Sequence, residues 1–288
     1  MKNIAAKLFA TILLCLLASS ALFAAEYRFF KIDVPNSTST RVRGINARGD
    51  IVGIYADAGG TSHSFLRHAG VYSEVAFPEA YFTAIKSINA RGDMAGNVQD
   101  VPDGAVHGFL FHEGAYSKID YPGALGTEVR GINNAGDVTG TYSDAPGRSF
   151  GFTLKGGIYH QIHVPNSSLT DVYQVQDNGV VMVGDAVLNS DGLQHGFLRL
   201  GPANFKLIDF PGTEATGGTV VRWINQRGDI VGALGFDGYI LRNGTFTTID
   251  FPHTIATLPL AVNDDGTIVG IILDTKGALH GFKAVPQD

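Results

Sequence analysis

Apolar and polar residues alternate in short blocks along most of this chain. The segments GDIVGIY, residues 49–55, and HGFLF, residues 107–111, have the length and the alternation of β-strands. Helical spacing of apolar residues is rare, and 37 glycines supply many turn positions. The pattern predicts an all-β chain with many tight turns.

The blocks recur with a period of about 43 residues. Blocks of the types ID(F/V)P and HGFL follow the same period as a block of the type IN..GD.VG. The IN block begins at Ile45, Ile88, Ile132, Val175, Ile224 and Val262. Each period holds four strand-length pieces, which is the unit of a β-propeller blade. The sequence therefore predicts a six-bladed β-propeller with four strands in each blade.

The two ends of the chain predict how this ring closes. The last repeat stops after Gly281 and Phe282 without its ID.P strand, whereas residues 27–35 form an unattached copy of that strand. If the N-terminal strand completes the last blade, no sheet edge stays unpaired at the junction. We expect one propeller domain over residues 26–288.

The GIN..GD.VG and HGFL blocks at this spacing resemble the HAF family of extracellular repeats, found in exported bacterial proteins. The resemblance covers nearly all of the chain after its N-terminal segment. It implies an exported repeat protein of the propeller type, and it carries no catalytic residue over to this chain.

The N-terminus predicts export. Lys2 and Lys7 precede an apolar run and a small-residue stretch, which is the layout of a signal peptide over residues 1–25. Cys15, the only cysteine, falls inside it, so we expect no disulfide in the mature protein. We expect a monomer that is secreted, periplasmic or held at the cell surface, with no integral membrane segment. The net charge of −6 argues against a nucleic-acid partner.

Three Arg-Gly-Asp tripeptides, at residues 48–50, 91–93 and 227–229, raise the question of an adhesion ligand. Only the glycine is common to the same position in all six repeats. We interpret the tripeptides as hairpin loops whose glycine has a positive φ.

A column of residues two positions before each IN block carries the main candidate chemistry. It consists of Arg43, Lys86, Arg130, Tyr173, Arg222 and Leu260. Four cations near the axis suggest a site for an anion such as a uronate or a phosphorylated sugar. The competing hypothesis, which the sequence favours, is that each cation pairs with a carboxylate diagonally across the hairpin. Those carboxylates are Asp50, Asp93, Asp137 and Asp229.

Other columns are open to structural and functional interpretations. Five residues before each IN block lie Thr40, Thr83, Thr127, Thr170, Thr219 and Thr257. Their hydroxyls either bond the neighbouring backbone or form a polar ring for a sugar at the channel mouth. For His63, His107, His195 and His280 we expect hydrogen bonds between blades and no metal site.

No motif for nucleophilic catalysis, phosphate binding or a cofactor is recognisable. The sequence therefore favours an exported, non-enzymatic module that binds an extracellular glycan or a surface protein at the channel mouth. The alternative is an enzyme in the channel, of the lyase, lactonase or glycosidase type. Its signature is the polar or aromatic residues that interrupt the repeat near the axis, namely Tyr173, Gln174 and Trp223.

Overall fold

The computed structural model describes residues 27–213 and 218–287. These residues form 24 β-strands and no helix, so the all-β prediction is confirmed. No helix that is able to span a bilayer occurs among them. The predicted signal peptide, residues 1–25, lies outside the described residues.

Four sheets contain four strands each. One consists of β2 (Ser39–Ile45), β3 (Ile51–Ala56), β4 (Ser62–His68) and β5 (Val71–Val75), and the next of β6 (Phe82–Ile88), β7 (Met94–Gln99), β8 (His107–His112) and β9 (Ala115–Ile119). A third consists of β18 (Thr219–Ile224), β19 (Ile230–Leu234), β20 (Asp237–Arg242) and β21 (Thr245–Ile249). The fourth joins β22 (Thr254–Val262), β23 (Ile268–Asp274) and β24 (Leu279–Pro286) to β1 (Tyr27–Ile32).

The remaining eight strands form a single sheet. They are β10 (Gly126–Ile132), β11 (Val138–Ala145), β12 (Arg148–Lys155), β13 (Ile158–Ile162), β14 (Ser167–Val175), β15 (Met182–Leu188), β16 (Gln194–Gly201) and β17 (Asn204–Ile208). Its two antiparallel halves meet at one parallel pair, Ser149 with Leu169. Six separate four-stranded sheets are therefore not observed, because two of the predicted units share this bridge.

The closing junction forms as predicted. β1 pairs antiparallel with β24 from Tyr27 opposite Pro286 to Ile32 opposite Gly281. The last sheet also packs closely on the first, because a Cβ atom on Gly281 would lie 2.5 Å from Cγ2 of Val42. Gly108 meets Val129 at the same distance between two consecutive repeats. The junction between the chain ends is thus as tight as an internal one.

A circle of side-chain amides joins all six repeats at one end of the channel. Each amide nitrogen donates to the backbone carbonyl of the next member of the circle, at 2.6–3.3 Å. The circle runs through Asn46, Asn89, Asn133, Gln176, Asn225 and Asn263 and returns to Asn46. We call it the amide ring. It explains why the repeat keeps an amide after its isoleucine or valine, including the glutamine of the fourth repeat.

The glycine in the second strand of each repeat lies under an aromatic ring of the adjacent strand. A Cβ atom on Gly140 would lie 2.9 Å from Phe152 Cε1 and 2.1 Å from the Glu128 carbonyl oxygen. No side chain fits in that space, because protein cores are close-packed. The rings in this position are buried and belong to Phe65, Phe109, Phe152, Phe197, Tyr239 and Phe282. The VG and HGF blocks therefore encode one packing unit.

The Arg-Gly-Asp tripeptides form turns, as predicted. Gly49, Gly92 and Gly228 have φ angles of 82°, 93° and 87°. The aspartates that follow these glycines, Asp50, Asp93 and Asp229, are buried. The carboxylate of Asp50 accepts a hydrogen bond from Asn46 at 2.9 Å. A receptor cannot reach an aspartate held in this way, so the tripeptides are structural.

Replacing Asn89 by alanine tests the amide ring. Asn89 donates to Asp93 and to the Asn133 carbonyl and accepts from the backbone N–H groups of Arg91 and Asp93. Because buried partners would lose hydrogen bonds, we expect Asn89→Ala to lower the free energy of unfolding by about 2–4 kcal/mol. The exposed Asn204 supplies the control, for which we expect a change within about 0.5 kcal/mol. Urea unfolding measures both, and equal small losses would show that the ring contributes nothing.

Candidate channel site

Each innermost strand contains a β-bulge at the same place. In β2 the register passes from Val42 to Gly44, so that Arg43 is the extra residue. The six residues skipped in this way are Arg43, Lys86, Arg130, Tyr173, Arg222 and Leu260. A bulge redirects the side chain of the extra residue. The bulges therefore coincide with the whole candidate column.

All six bulge residues line one cavity of about 470 Å³. Val220, Ala233, Leu258, Pro259 and Ile271 complete the lining on the side of the last two repeats. The cavity thus has a cationic wall and an apolar wall. Its volume falls in the range of small-molecule sites, about 300–1,000 Å³.

The predicted diagonal pairs between the cations and the loop carboxylates are wrong. Ile45 lies opposite Ile51, so Asp50 belongs to the loop and is directed away from Arg43. Its carboxylate instead bonds Arg48 Nε at 3.0 Å and His68 Nδ1 at 2.6 Å. The other three carboxylates have partners outside the column as well: Asp93 with Arg91 and His112, Asp137 with Lys155, and Asp229 with Arg242. The prediction failed because it placed Asp50 opposite Ile45, whereas the loop is one residue longer and Ile45 lies opposite Ile51.

Two of the four cations have nearby carboxylates. Arg130 Nη2 lies 2.9 Å from Glu128 Oε2, and Arg222 Nη1 lies 3.6 Å from Asp185 Oδ2. In the part of the chain that the structure describes, Arg43 and Lys86 form no salt bridge, and the buried Nε of Arg43 has no hydrogen-bond partner. The site therefore has a surplus of positive charge.

Burial and this surplus lower the pKa values of two of the cavity cations. Burial, followed by repulsion from Arg43 and Arg130, lowers the pKa of Lys86 to about 7. Burial, followed by repulsion from Arg41, Arg222 and Arg130, lowers the pKa of Arg43 to about 10. An anion bound in the cavity would raise both pKa values, since a nearby opposite charge favours the charged form of each group.

Tyr173 lies between two of the arginines. The guanidinium carbon of Arg222 is 4.6 Å from the ring centroid and that of Arg130 is 5.5 Å away. Burial is the main reason why the pKa of Tyr173 rises to about 12. The phenol therefore keeps its proton at neutral pH.

Asp185 was missed by the sequence interpretation. Its buried carboxylate accepts the Val221 N–H at 2.8 Å and Gln194 Nε2 at 3.1 Å, beside Arg222. Burial outweighs these contacts and raises the pKa of Asp185 to about 7. The signal available in the sequence was an aspartate in the second strand of the fourth repeat, where the second repeat has Asn97.

The other end of the channel is narrow. The amide ring and its flanking residues enclose a space of about 50 Å³. Trp223 is buried and lines both this space and the larger cavity, whereas Gln174 lines only the narrow one. Of these two channel spaces, only the cationic cavity has room for a ligand of sugar size.

The threonine column does not face the channel as an open ring. In each repeat the threonine hydroxyl accepts a hydrogen bond, at 2.9–3.1 Å, from the backbone N–H of the residue before the proline of the ID(F/V)P block. All six members are buried: Thr40, Thr83, Thr127, Thr170, Thr219 and Thr257. Their placement matches the structural interpretation of this column.

The histidines bond acidic residues of their own sheets. This differs from the predicted hydrogen bonds between sheets. His107 bonds Asp120 at 2.7 Å, His195 bonds Asp209 at 2.7 Å, and His280 bonds Asp33 at 2.9 Å. His63 lies between Asp57 and Glu74. Among the described residues, no group of three or more histidines and acids converges in a way that would hold a metal ion.

Replacing Lys86 by methionine should stabilise the protein. The pKa of Lys86 is lowered in the folded state, so its destabilising effect is complete below about pH 7 and disappears as the pH rises to its ordinary 10.5. We expect Lys86→Met to raise the free energy of unfolding by about 1–3 kcal/mol at pH 7, with a smaller gain at pH 10. Urea unfolding with Lys206→Met, an exposed lysine, as the control measures this. A loss of stability for Lys86→Met would show that the amine has a structural partner.

No protein-family model matches the chain, and no curated protein matches it. Solved structures do. A variant of the Aleuria aurantia lectin in complex with Fucα1-6GlcNAc has a TM-score of 0.52 and 10% identity, covering 89% of this chain and 98% of that one. A gluconolactonase from Xanthomonas campestris has a TM-score of 0.56 and 10% identity, covering 93% of each chain. AofleA from Arthrobotrys oligospora has a TM-score of 0.54 and 11% identity, covering 89% and 85%. At these identities the likeness shows the fold alone, which is an all-β propeller.

Proposed function

We propose that this chain is an exported binding module whose channel cavity holds a carboxylate-bearing sugar. The observation that carries the proposal is the convergence of six bulge residues, four of them cations, on one cavity. Arg43 and Lys86 lack salt-bridge partners among the described residues, so a bound anion would supply the negative charge that these two cations lack.

The two walls of the cavity favour a sugar acid over a simple anion. Guanidinium groups bind carboxylates through paired hydrogen bonds, and the apolar wall around Leu258, Pro259 and Leu260 suits the hydrophobic face of a pyranose ring. The chain carries a net charge of −6, so the positive charge is local to the cavity. Two of the fold neighbours, a lectin with a bound fucoside and a gluconolactonase, act on or bind sugar compounds.

The finer description of the fold belongs to the same proposal. We count the eight-stranded sheet as two blades, because one bridge pair joins its halves, which gives six blades matching the six members of the amide ring. We further propose that the chain is a HAF-type repeat protein, exported by its N-terminal segment and acting as a monomer on an extracellular glycan.

Calorimetric titration with an oligogalacturonide and with the matching neutral galactose oligomer tests the proposal. We expect binding of the acidic oligomer only. Binding should be roughly three- to tenfold tighter at pH 6 than at pH 8, because the protonated forms of Lys86 and Asp185 make the cavity more positive below their pKa values of about 7.

Arg43→Met should weaken this binding at least roughly tenfold, since it removes an unpaired cation from the site. Arg28→Met, at an exposed position of β1, is the matched control and should bind like the parent protein. Equal affinity for the acidic and neutral oligomers, or tighter binding at pH 8, would overturn the proposal.

A further inference from the structure

The cavity contains an amine and a phenol that simple binding does not require. Lys86 and Tyr173 both line it, together with Arg43, Arg130 and Arg222. We propose that the cavity cleaves 4-linked uronates by β-elimination, with Lys86 as the base and Tyr173 as the acid. This inference rests on the proposed binding of sugar acids.

Arg43 and Arg130 would prepare the substrate. The proton on C5 of a uronate is weakly acidic, because the neighbouring carboxylate is negatively charged. Two guanidinium groups that hold this carboxylate disperse the additional charge that develops when the proton leaves. Arg43 is free to do so, and Arg130 has one carboxylate partner, Glu128.

Lys86 is placed to take that proton. Its amine has no salt-bridge partner among the described residues, and its charged neighbours are Arg43 on β2, Arg130 and Glu128 on β10, and Arg222 on β18. The three arginines favour the neutral amine and Glu128 opposes them. A bound carboxylate offsets part of the repulsion, so in the complex the amine loses its proton at a pH above 7.

Tyr173 is placed to protonate the leaving oxygen. Its raised pKa keeps the phenol protonated over the pH range in which Lys86 becomes neutral. Arg222 and Arg130 lie 4.6 and 5.5 Å from the ring centroid, where their charge stabilises the phenolate that remains after proton donation, while Asp185 and Asp171 oppose them. Arg130 thus serves the acid as well as the substrate.

The step balances without a further reactant. The C5–H bond breaks and its proton goes to Lys86 Nζ, while the electron pair forms the C4–C5 double bond. The C4–O4 bond breaks, and O4 takes the proton from Tyr173 Oη. The products are a 4,5-unsaturated uronate and a sugar with a free hydroxyl. Proton transfer from the lysine ammonium to the phenolate through solvent restores both groups.

The full-length chain is tested on oligogalacturonides, oligoglucuronides and oligomannuronides. Ultraviolet absorbance of the conjugated double bond reports product, and mass spectrometry identifies it. We expect a rate that rises with pH above neutral, whereas binding weakens over the same range. Opposite pH slopes distinguish a neutral-amine base from a cation that merely binds.

Two conservative variants separate chemistry from binding. Lys86→Arg keeps the charge but cannot act as a base near neutral pH, and Tyr173→Phe removes only the hydroxyl. We expect both to bind within about threefold of the parent protein and to lose roughly 10²–10⁴-fold in elimination rate. Lys206→Arg and Tyr81→Phe, both at exposed positions, are the controls and should keep full activity.

The outcomes are distinguishable. Uronate binding without any unsaturated product would overturn the elimination and leave the binding proposal standing. Absence of binding would overturn both. Unchanged rates in Lys86→Arg or Tyr173→Phe would show that another group is the base or the acid.

Discussion

The extra residue in each innermost strand determines what the channel contains. Without the bulge, Arg43 would continue the ladder opposite Gly53. The bulge instead removes it from the ladder and places it in the wall of the channel cavity. Because the bulge recurs in every repeat, the cavity wall includes six residues that are free to vary without loss of strand pairing.

The scaffold that holds these residues is independent of them. The amide ring joins the repeats at one end, while the glycine–valine contacts and the buried rings join them along their faces. The column can therefore hold cations in four repeats, a tyrosine in one and a leucine in another. Gathering four cations costs stability, as the lowered pKa values of Arg43 and Lys86 show. Sites of this kind are typical of function, since a fold without a ligand gains nothing from them.

Much of the architecture follows from the sequence because each repeat carries local signals. Turn glycines, alternating strands and the orphan copy at residues 27–35 predicted the strand content and the pairing of β1 with β24. The partners of the charged groups were harder to predict. The period-two pattern does not reveal the length of the loop, so Asp50 was assigned to Arg43 when it belongs to the loop and bonds Arg48 and His68. The amide ring was equally hidden, because its acceptors are carbonyl groups of the neighbouring repeat. Asp185 was hard to identify from the sequence, because only its burial beside Arg222 makes it unusual.

We propose that the bulged cations form one anion site. An anomalous difference map from crystals soaked in selenate is a direct test. We expect an anomalous peak in the channel, within hydrogen-bonding distance of Arg43 and of Lys86 or Arg130. Selenate bound only on the outer surface, with these side chains turned toward carboxylates of the protein, would contradict it.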